Sequence, residues 1–173
     1  MAAAQEAKHS EFWEPCSKAF GDGTQRQTTR HQEKEEIMRD HFKILVIDDE
    51  PIVGERLKAM LARDGHRVES FVNPLKAIDR LQETDFDIVI TDIRMVEMDG
   101  IQVLEKVFEK SRHTKVIMIS GYATLDLAKE SLTKGAFDFI AKPFKLKELR
   151  NTIKKAAKSL ERGNARPESA ASA

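Results

Sequence analysis

The stretch KILVIDDEP, residues 43–51, decides the fold class of this chain. Its first part, KILVI, is a largely apolar run rich in branched aliphatic side chains, which is typical of a parallel strand covered by helices on both faces. Pro51 suits the first position of a helix, where an amide hydrogen would have no partner within the helix anyway. The acidic residues Asp48, Asp49 and Glu50 stand between the two. The stretch therefore predicts a buried strand, an acidic turn and a helix in direct succession.

The pattern of a strand followed by a helix occurs five times along the chain. Such an alternation with short turns predicts right-handed crossovers and a doubly wound α/β fold with one five-stranded parallel sheet. The segment RVESF alternates in polarity more than the others do, so we expect it at an edge of the sheet. The predicted strands are KILVI (43–47), RVESF (67–71), FDIVI (86–90), KVIMI (115–119) and DFIA (138–141).

Start and stop signals mark the five helices. Pro51 and the pair Asn73-Pro74 suit helix starts, and Gly65 and Gly135 suit the ends of two helices. The apolar positions that mark the helices at core spacing are Leu57, Met60 and Leu61 in the first, Leu75, Ile78 and Leu81 in the second, Ile101, Leu104, Val107 and Phe108 in the third, Leu125, Ala128 and Leu132 in the fourth, and Leu146, Leu149, Ile153, Ala156, Ala157 and Leu160 in the fifth.

The two ends of the chain differ in amino-acid composition from the part between them. Residues 1–40 are polar and poor in branched aliphatic side chains, and so are residues 163–173, so we expect a flexible N-terminal extension and a disordered C-terminal tail. The folded domain is then expected at 41–162. Met38 lies at the change in composition, and we hypothesise that the native protein starts there. Peptides from residues 1–30 in a mass spectrum of the native protein would contradict that start.

Composition gives no support to several classes of function. The 29 basic and 29 acidic side chains balance, so net charge gives no reason to expect direct DNA binding or attraction to a membrane surface. Cys16 is the only cysteine, which suits a reducing compartment, and we expect the cytoplasm. The sequence also contains no run of about 20 apolar residues of the kind that crosses a bilayer.

Chemically active side chains follow four of the five predicted strands. They are found in Asp48-Asp49-Glu50, Thr91-Asp92, Ser120-Gly121 and Lys142-Pro143. In a parallel α/β sheet the functional crevice lies at the carboxyl ends of the strands. We therefore expect three carboxylates, a hydroxyl and an ammonium group to converge at one edge of the sheet.

A cluster of carboxylates needs a cation, because like charges a few ångströms apart raise one another's pKa. Oxygen ligands without histidine or cysteine favour Mg²⁺, which proteins often hold together with phosphate oxygens. The sequence thus predicts phosphoryl chemistry, with Asp92 as a nucleophile that forms an aspartyl phosphate. Taken singly, Asp92 could instead cap a turn, Asp48 and Asp49 could cap the next helix, and Lys142 could be an ordinary surface lysine.

Four motifs in the chain, LVIDDEP, VITDIRMVEMDG, MISGYA and FIAKPF, resemble those of bacterial response-regulator receiver domains. The resemblance covers roughly residues 42–162 and is specific, because the four motifs occur in order at the intervals usual in that family. It implies a flavodoxin-like (βα)5 fold with strand order 2-1-3-4-5.

The resemblance also implies a role for each residue of the site. Asp92 would be the phosphoacceptor, and Lys142 and Ser120 would contact the phosphoryl group. Asp49 would bind Mg²⁺ directly, Asp48 mainly through water, and the backbone carbonyl of Arg94 would complete the protein ligands together with Asp92. Ser120 and Phe139 would be the hydroxyl and the aromatic ring that respond to phosphorylation.

The chain departs from the usual family pattern at three positions. Val96 replaces a proline in the loop after the phosphoacceptor, which puts the rigidity of that loop in doubt. Ser120 stands where threonine is commoner, and Phe139 where tyrosine is frequent. Phe139 has no hydroxyl group, so packing alone would govern its rotation.

The expected function is that of a single-domain response regulator in a two-component phosphorelay. The phosphodonor would be a sensor histidine kinase or a phosphotransfer protein, and phosphorylation of Asp92 would change the surface formed by the fourth helix, fifth strand and fifth helix. That surface would bind a downstream protein or a second copy of the chain. Two alternatives stay open, namely a phosphohydrolase with an aspartyl-phosphate intermediate and a docking module that does not depend on phosphorylation.

Overall fold

The computed structural model describes residues 41–164, which form five strands and five helices in strict alternation. The strands are β1 (Lys43–Ile47), β2 (Arg67–Phe71), β3 (Ile88–Asp92), β4 (Lys115–Ser120) and β5 (Asp138–Ala141). The helices are α1 (Pro51–Arg63), α2 (Pro74–Glu83), α3 (Gly100–Lys110), α4 (Leu125–Thr133) and α5 (Leu146–Asn164).

All five strands pair in parallel in the order β2-β1-β3-β4-β5. The predicted fold class and strand order are therefore confirmed. The strand RVESF does lie at one edge, and β5 lies at the other. The register places Ile47 of β1 beside Thr91 of β3, and Asp92 beside Ile119 of β4. The ends of these three strands thus meet at one edge of the sheet.

Alternate residues of each central strand point into two separate cores. Leu45 and Ile47 face α2 and α3 and pack in one core with the buried side chains of Leu81 and Leu104. On the opposite face, Ile44 and Val46 pack against α1 and α5 with the side chains of Leu57, Met60, Leu61, Leu149, Ile153 and Ala156. Because helices cover both faces, β1, β3 and β4 are almost wholly buried, as their apolar runs predicted.

Local capping chemistry begins and ends the helices where the sequence indicated. Pro51 is the first residue of α1, and the side chain of Asn73 caps α2 by accepting a hydrogen bond from the Lys76 amide at 3.1 Å. Gly135 follows α4 with φ of +104°, in the left-handed region that favours glycine.

The third strand was predicted at 86–90 but is formed by residues 88–92. Asp87 precedes the ladder, where its carboxylate accepts a hydrogen bond from the Lys43 amide at 2.7 Å, and Ile88 is the first residue paired with both β1 and β4. Pairing with neighbours on both sides decides these bounds. As a result Asp92 is the last residue of β3, and Ser120 is likewise the last residue of β4.

Four leucines that were expected at core spacing are exposed, and that part of the prediction is wrong; they are Leu75, Leu125, Leu132 and Leu146. Leu125 and Leu132 are 70% and 48% exposed. Helix α4 instead directs Leu127 and Ser131 toward the core. The Ser131 hydroxyl donates a hydrogen bond to the Leu127 carbonyl at 2.8 Å, so its buried oxygen has a partner. Leu75 of α2 is also exposed, because Ala77 and Leu81 fill the core on that helix.

Both predicted terminal extensions lie largely outside the described residues, which exclude 1–40 and 165–173. Helix α5 continues through Asn164, slightly beyond the boundary predicted at 163. Within residues 41–164, no helix is long and apolar enough to cross a lipid bilayer.

Gly100 gives a test of how tightly the end of β3 is held. A Cβ atom at this position would lie 2.4 Å from the carbonyl oxygen of Asp92 and 2.8 Å from Cα of Ile93. Because both atoms belong to the backbone, we expect Gly100→Ala to lower the free energy of unfolding by about 1–3 kcal/mol. Urea denaturation followed by circular dichroism measures this change.

Gly121→Ala is the matched control, because a Cβ atom there meets nothing within 4 Å. We expect that variant to stay within about 1 kcal/mol of the wild type. Equal stabilities for the two variants would contradict the close approach at Gly100.

Candidate functional site

Two buried carboxylates lie side by side at the carboxyl edge of the sheet. Asp92 is the last residue of β3, and Asp48 follows the neighbouring strand β1 directly. Asp48 is 1% exposed and Asp92 is 6% exposed. Backbone amides hold one oxygen of each, since Glu50 donates to Asp48 Oδ1 at 3.0 Å and Arg94 donates to Asp92 Oδ1 at 3.3 Å.

Lys142 joins these two carboxylates. It follows β5, and the carbonyl of Ser120 accepts a hydrogen bond from its backbone amide at 2.7 Å. Its Nζ donates to Asp48 Oδ2 at 2.8 Å and to Asp92 Oδ2 at 2.7 Å. One ammonium group thus bridges residues that are far apart in the sequence, and the peptide bond to Pro143 is cis.

The surroundings change the pKa of both Asp48 and Lys142. Burial raises the pKa of the Asp48 carboxyl, although the hydrogen bond and the charge of Lys142 oppose that rise. Burial would lower the pKa of Lys142, but its hydrogen bonds to Asp48 and Asp92 outweigh burial and raise it. The raised pKa keeps Lys142 positively charged at physiological pH, whereas burial disfavours the charged form of Asp48.

Asp49 completes a group of three carboxylates that could hold a metal ion. One carboxylate oxygen from each of Asp48, Asp49 and Asp92 lies within 4.8 Å of the others. Asp49 is the most exposed of the three. A set of hard oxygen donors without nitrogen or sulfur fits a divalent cation such as Mg²⁺, which is commonly held by one or two carboxylates and keeps several waters. The predicted acidic cluster is present.

Ser120 reaches the same edge of the sheet and is completely buried. Its Oγ accepts a hydrogen bond from the backbone amide of Tyr122 at 3.1 Å. The hydroxyl is therefore engaged with the loop after β4, and as a hydroxyl it can also donate its own proton to an acceptor. Phe139, in contrast, is half-buried in β5 and packs against the core on the α2 and α3 side. The response of Ser120 and Phe139 to phosphorylation stays a prediction.

Two contacts in the site were not foreseen from the sequence. Glu50 also approaches Lys142, with Oε1 at 3.3 Å from Nζ. Its place directly after the acidic pair was the only signal. The guanidinium of Arg94 lies over the ring of Tyr122, 4.4 Å from the centroid, and nothing in the residue pattern connects these positions. The proposed role of the Arg94 carbonyl as a metal ligand stays a prediction.

Removal of the bridging cation should destabilise the fold. In Lys142→Met, two buried carboxylates lose a charged hydrogen-bond donor, and we expect a loss of about 2–3 kcal/mol at neutral pH. The variant should raise the pKa of Asp48 further above its ordinary value of 3.8. Between pH 3.8 and the raised pKa of Asp48, the folded variant then binds more protons than the unfolded variant. Its free energy of unfolding therefore falls as the pH rises through this range.

The measurement is urea denaturation of Lys142→Met and wild type at pH 5 and pH 8 without divalent cations. We expect the larger difference at pH 8. Lys147→Met removes an exposed lysine from α5 and should change stability by no more than about 0.5 kcal/mol. A loss in Lys142→Met that matches this control at both pH values would contradict the bridging role.

Comparison with known proteins identifies relatives over the described domain. Transcriptional regulatory protein ZraR of Klebsiella oxytoca is 37% identical over 117 residues, which are 68% of this chain and 26% of ZraR. Sporulation initiation phosphotransferase F of Bacillus subtilis is 32% identical over 113 residues, which are 65% of this chain and 91% of that protein. The chain thus spans about a quarter of the length of ZraR, but nearly all of the phosphotransferase is matched.

Solved structures show the same fold. A response regulator receiver domain protein from Clostridium thermocellum superposes with a TM-score of 0.65 at 30% identity, covering 71% of this chain and 97% of the other. The beryllofluoride-activated NtrC4 receiver domain dimer gives a TM-score of 0.66 at 30% identity, with 68% and 98% covered. The family model for the response regulator receiver domain matches residues 44–154. This chain therefore belongs to the receiver domain family of two-component response regulators.

Proposed function

We propose that this receiver domain accepts a phosphoryl group on the carboxylate of Asp92 from a phosphohistidine of a sensor kinase or phosphotransfer protein. The observation that carries the proposal is the contact between Asp92 Oδ2 and Lys142 Nζ at 2.7 Å, next to the acidic pair. A buried carboxylate between a fixed cation and a set of metal-binding oxygens is suited to phosphoryl transfer, in which positioning and neutralisation of charge do most of the work.

The transfer makes one bond and breaks one bond. An oxygen of Asp92 forms a bond to phosphorus, the bond from phosphorus to the imidazole nitrogen breaks, and its electron pair stays on that nitrogen. The product on this chain is an acyl phosphate. Later attack of water on phosphorus restores the carboxylate and releases inorganic phosphate. The ammonium of Lys142 is placed to neutralise oxygens of the phosphoryl group in both steps.

Asp48, Asp49, Asp92 and the backbone carbonyl of Arg94 would hold Mg²⁺ in this proposal. When bound, the ion would supply positive charge that offsets the charge on the phosphoryl oxygens. The proximity of the three carboxylate oxygens supports this assignment. This second cation would also favour the charged form of Asp48, whose pKa is raised by burial.

Phosphorylation would then redistribute the contacts of Lys142 and Ser120. The new charge offers acceptors to the Lys142 ammonium and to the Ser120 hydroxyl, so the loop after β4 is drawn toward Asp92. Phe139 of β5 lies beside Met118 in the sheet register and would repack as that loop moves. The surface of α4, β5 and α5 is the expected readout, with a downstream protein or a second copy of the chain as its partner.

We further propose that the receiver domain at residues 41–162 acts in the cytoplasm and that its own surface does not bind DNA. The match to 91% of sporulation initiation phosphotransferase F supports this proposal. ZraR, by its name a transcriptional regulatory protein, is matched over only 26% of its length. Residues 41–162 would thus pass on a phosphorylation signal through protein contacts.

Substitution of the acceptor tests the proposal. Asp92→Asn removes the nucleophilic oxygen, and we expect no gain of a phosphoryl group in the intact mass after incubation with acetyl phosphate and Mg²⁺. Wild-type protein should be labelled, and EDTA should abolish that labelling. Asp79→Asn, at an exposed position of α2, is the control and should be labelled like the wild type.

Labelling retained in Asp92→Asn would exclude Asp92 as the acceptor. Unlabelled wild-type protein would favour a docking module that does not depend on phosphorylation. Steady turnover of small phosphoesters by the wild type would favour the phosphohydrolase instead.

A further inference from the structure

The exposed side chains of Arg94 and Tyr122 join the two loops that flank the phosphoacceptor. Arg94 lies in the loop after β3, and Tyr122 lies in the loop after β4. The guanidinium carbon is 4.4 Å from the centroid of the tyrosine ring, within the distance at which the face of an aromatic ring attracts a cation. The stacked side chains therefore link the loop after β3 to the loop after β4.

The backbone of each partner also contacts a residue of the site. The Arg94 amide donates to Asp92 Oδ1 at 3.3 Å, and the Tyr122 amide donates to Ser120 Oγ at 3.1 Å. The stacked pair thus closes a chain of contacts that runs from the acceptor carboxylate to the buried hydroxyl of Ser120. A new partner for the guanidinium would therefore alter the surroundings of both Asp92 and Ser120.

A phosphoryl group on Asp92 would offer the guanidinium a stronger partner than the ring. It replaces the single negative charge of the carboxylate with about two and adds acceptor oxygens, and guanidinium groups bind such oxygens through paired, charge-assisted hydrogen bonds. The Arg94 side chain starts two residues after Asp92. It is exposed, so it can turn from the ring toward Asp92 by side-chain rotation.

We propose that Arg94 exchanges partners on phosphorylation. In the unphosphorylated protein it stacks on Tyr122, and in the phosphorylated protein it binds oxygens of the phosphoryl group and releases the ring. This inference rests on the proposed function of Asp92. The stack competes with the phosphorylated state, so it sets how readily the loop after β4 leaves its resting position.

The single tyrosine of the chain makes the exchange observable. Protein labelled with ring-¹³C tyrosine gives one set of ring resonances, and beryllofluoride with Mg²⁺ serves as the probe in place of the phosphoryl group. We expect the Tyr122 resonances of the wild type to shift when the probe binds. In Arg94→Gln they should start at different positions and shift far less.

Affinity for beryllofluoride gives an independent readout through a double-mutant cycle. Tyr122→Leu frees Arg94 from its resting partner, so binding should tighten by about two- to fivefold, which is the value of an exposed cation–π contact. In the Arg94→Gln background the same substitution should have no effect. Arg112→Gln removes an arginine stacked on Phe108 at 5.3 Å, away from the site, and should bind the probe like the wild type.

The outcomes separate this inference from the proposed function. Bound beryllofluoride is detected by its own ¹⁹F resonances, and their absence in wild type would overturn both the phosphoacceptor assignment and the exchange. If those resonances are present but Tyr122 shifts equally in wild type and Arg94→Gln, the exchange alone is overturned. An equal effect of Tyr122→Leu in both backgrounds would overturn it as well.

Discussion

The structure depends on the balance of charge around Lys142. Its ammonium bridges Asp48 and Asp92, two carboxylates that the fold buries almost completely. Burial raises the pKa of Asp48 and opposes the charge on Lys142. The charged form of each side chain would therefore be unfavourable at this buried position without its partner. Within residues 41–164, Lys142 contacts Asp48 and Asp92, while Asp49 belongs to the same cluster of three carboxylates, so one ammonium group does not balance their negative charge. The site therefore favours a further cation and, beside that cation, an anionic group that both cations can share.

The parallel sheet is what brings these charges together. Asp92 is the last residue of β3, whereas Asp48 and Lys142 directly follow β1 and β5. The strands β1, β3, β4 and β5 pair in parallel, so their carboxyl ends lie at the same edge. Helices packed on both faces leave that edge as the open side of the buried strands. The loops then determine the response, because Arg94, Ser120 and Tyr122 are linked by contacts that a new charge on Asp92 would alter.

Local chemistry made much of this arrangement predictable from the sequence. Pro51, Asn73 and Gly135 mark helix ends through their own backbone requirements, and continuous apolar runs indicate buried parallel strands. The convergence of Asp48, Asp92 and Lys142 follows from strand polarity alone. Contacts that depend on neighbours distant in the sequence could not be predicted in this way. The bounds of β3 are set by its pairing with β1 and β4. The outward leucines of α4 depend on what that helix packs against, and the Arg94–Tyr122 stack depends on the paths of two loops.

We propose that Asp92, among the three clustered carboxylates, carries the phosphoryl group. Borohydride reduction converts an aspartyl phosphate to homoserine, which tandem mass spectrometry locates in the sequence. After treatment of the full chain with acetyl phosphate and Mg²⁺, we expect homoserine at position 92 and unchanged aspartate at positions 48 and 49. Homoserine at Asp48 or Asp49, or at none of the three, would contradict it.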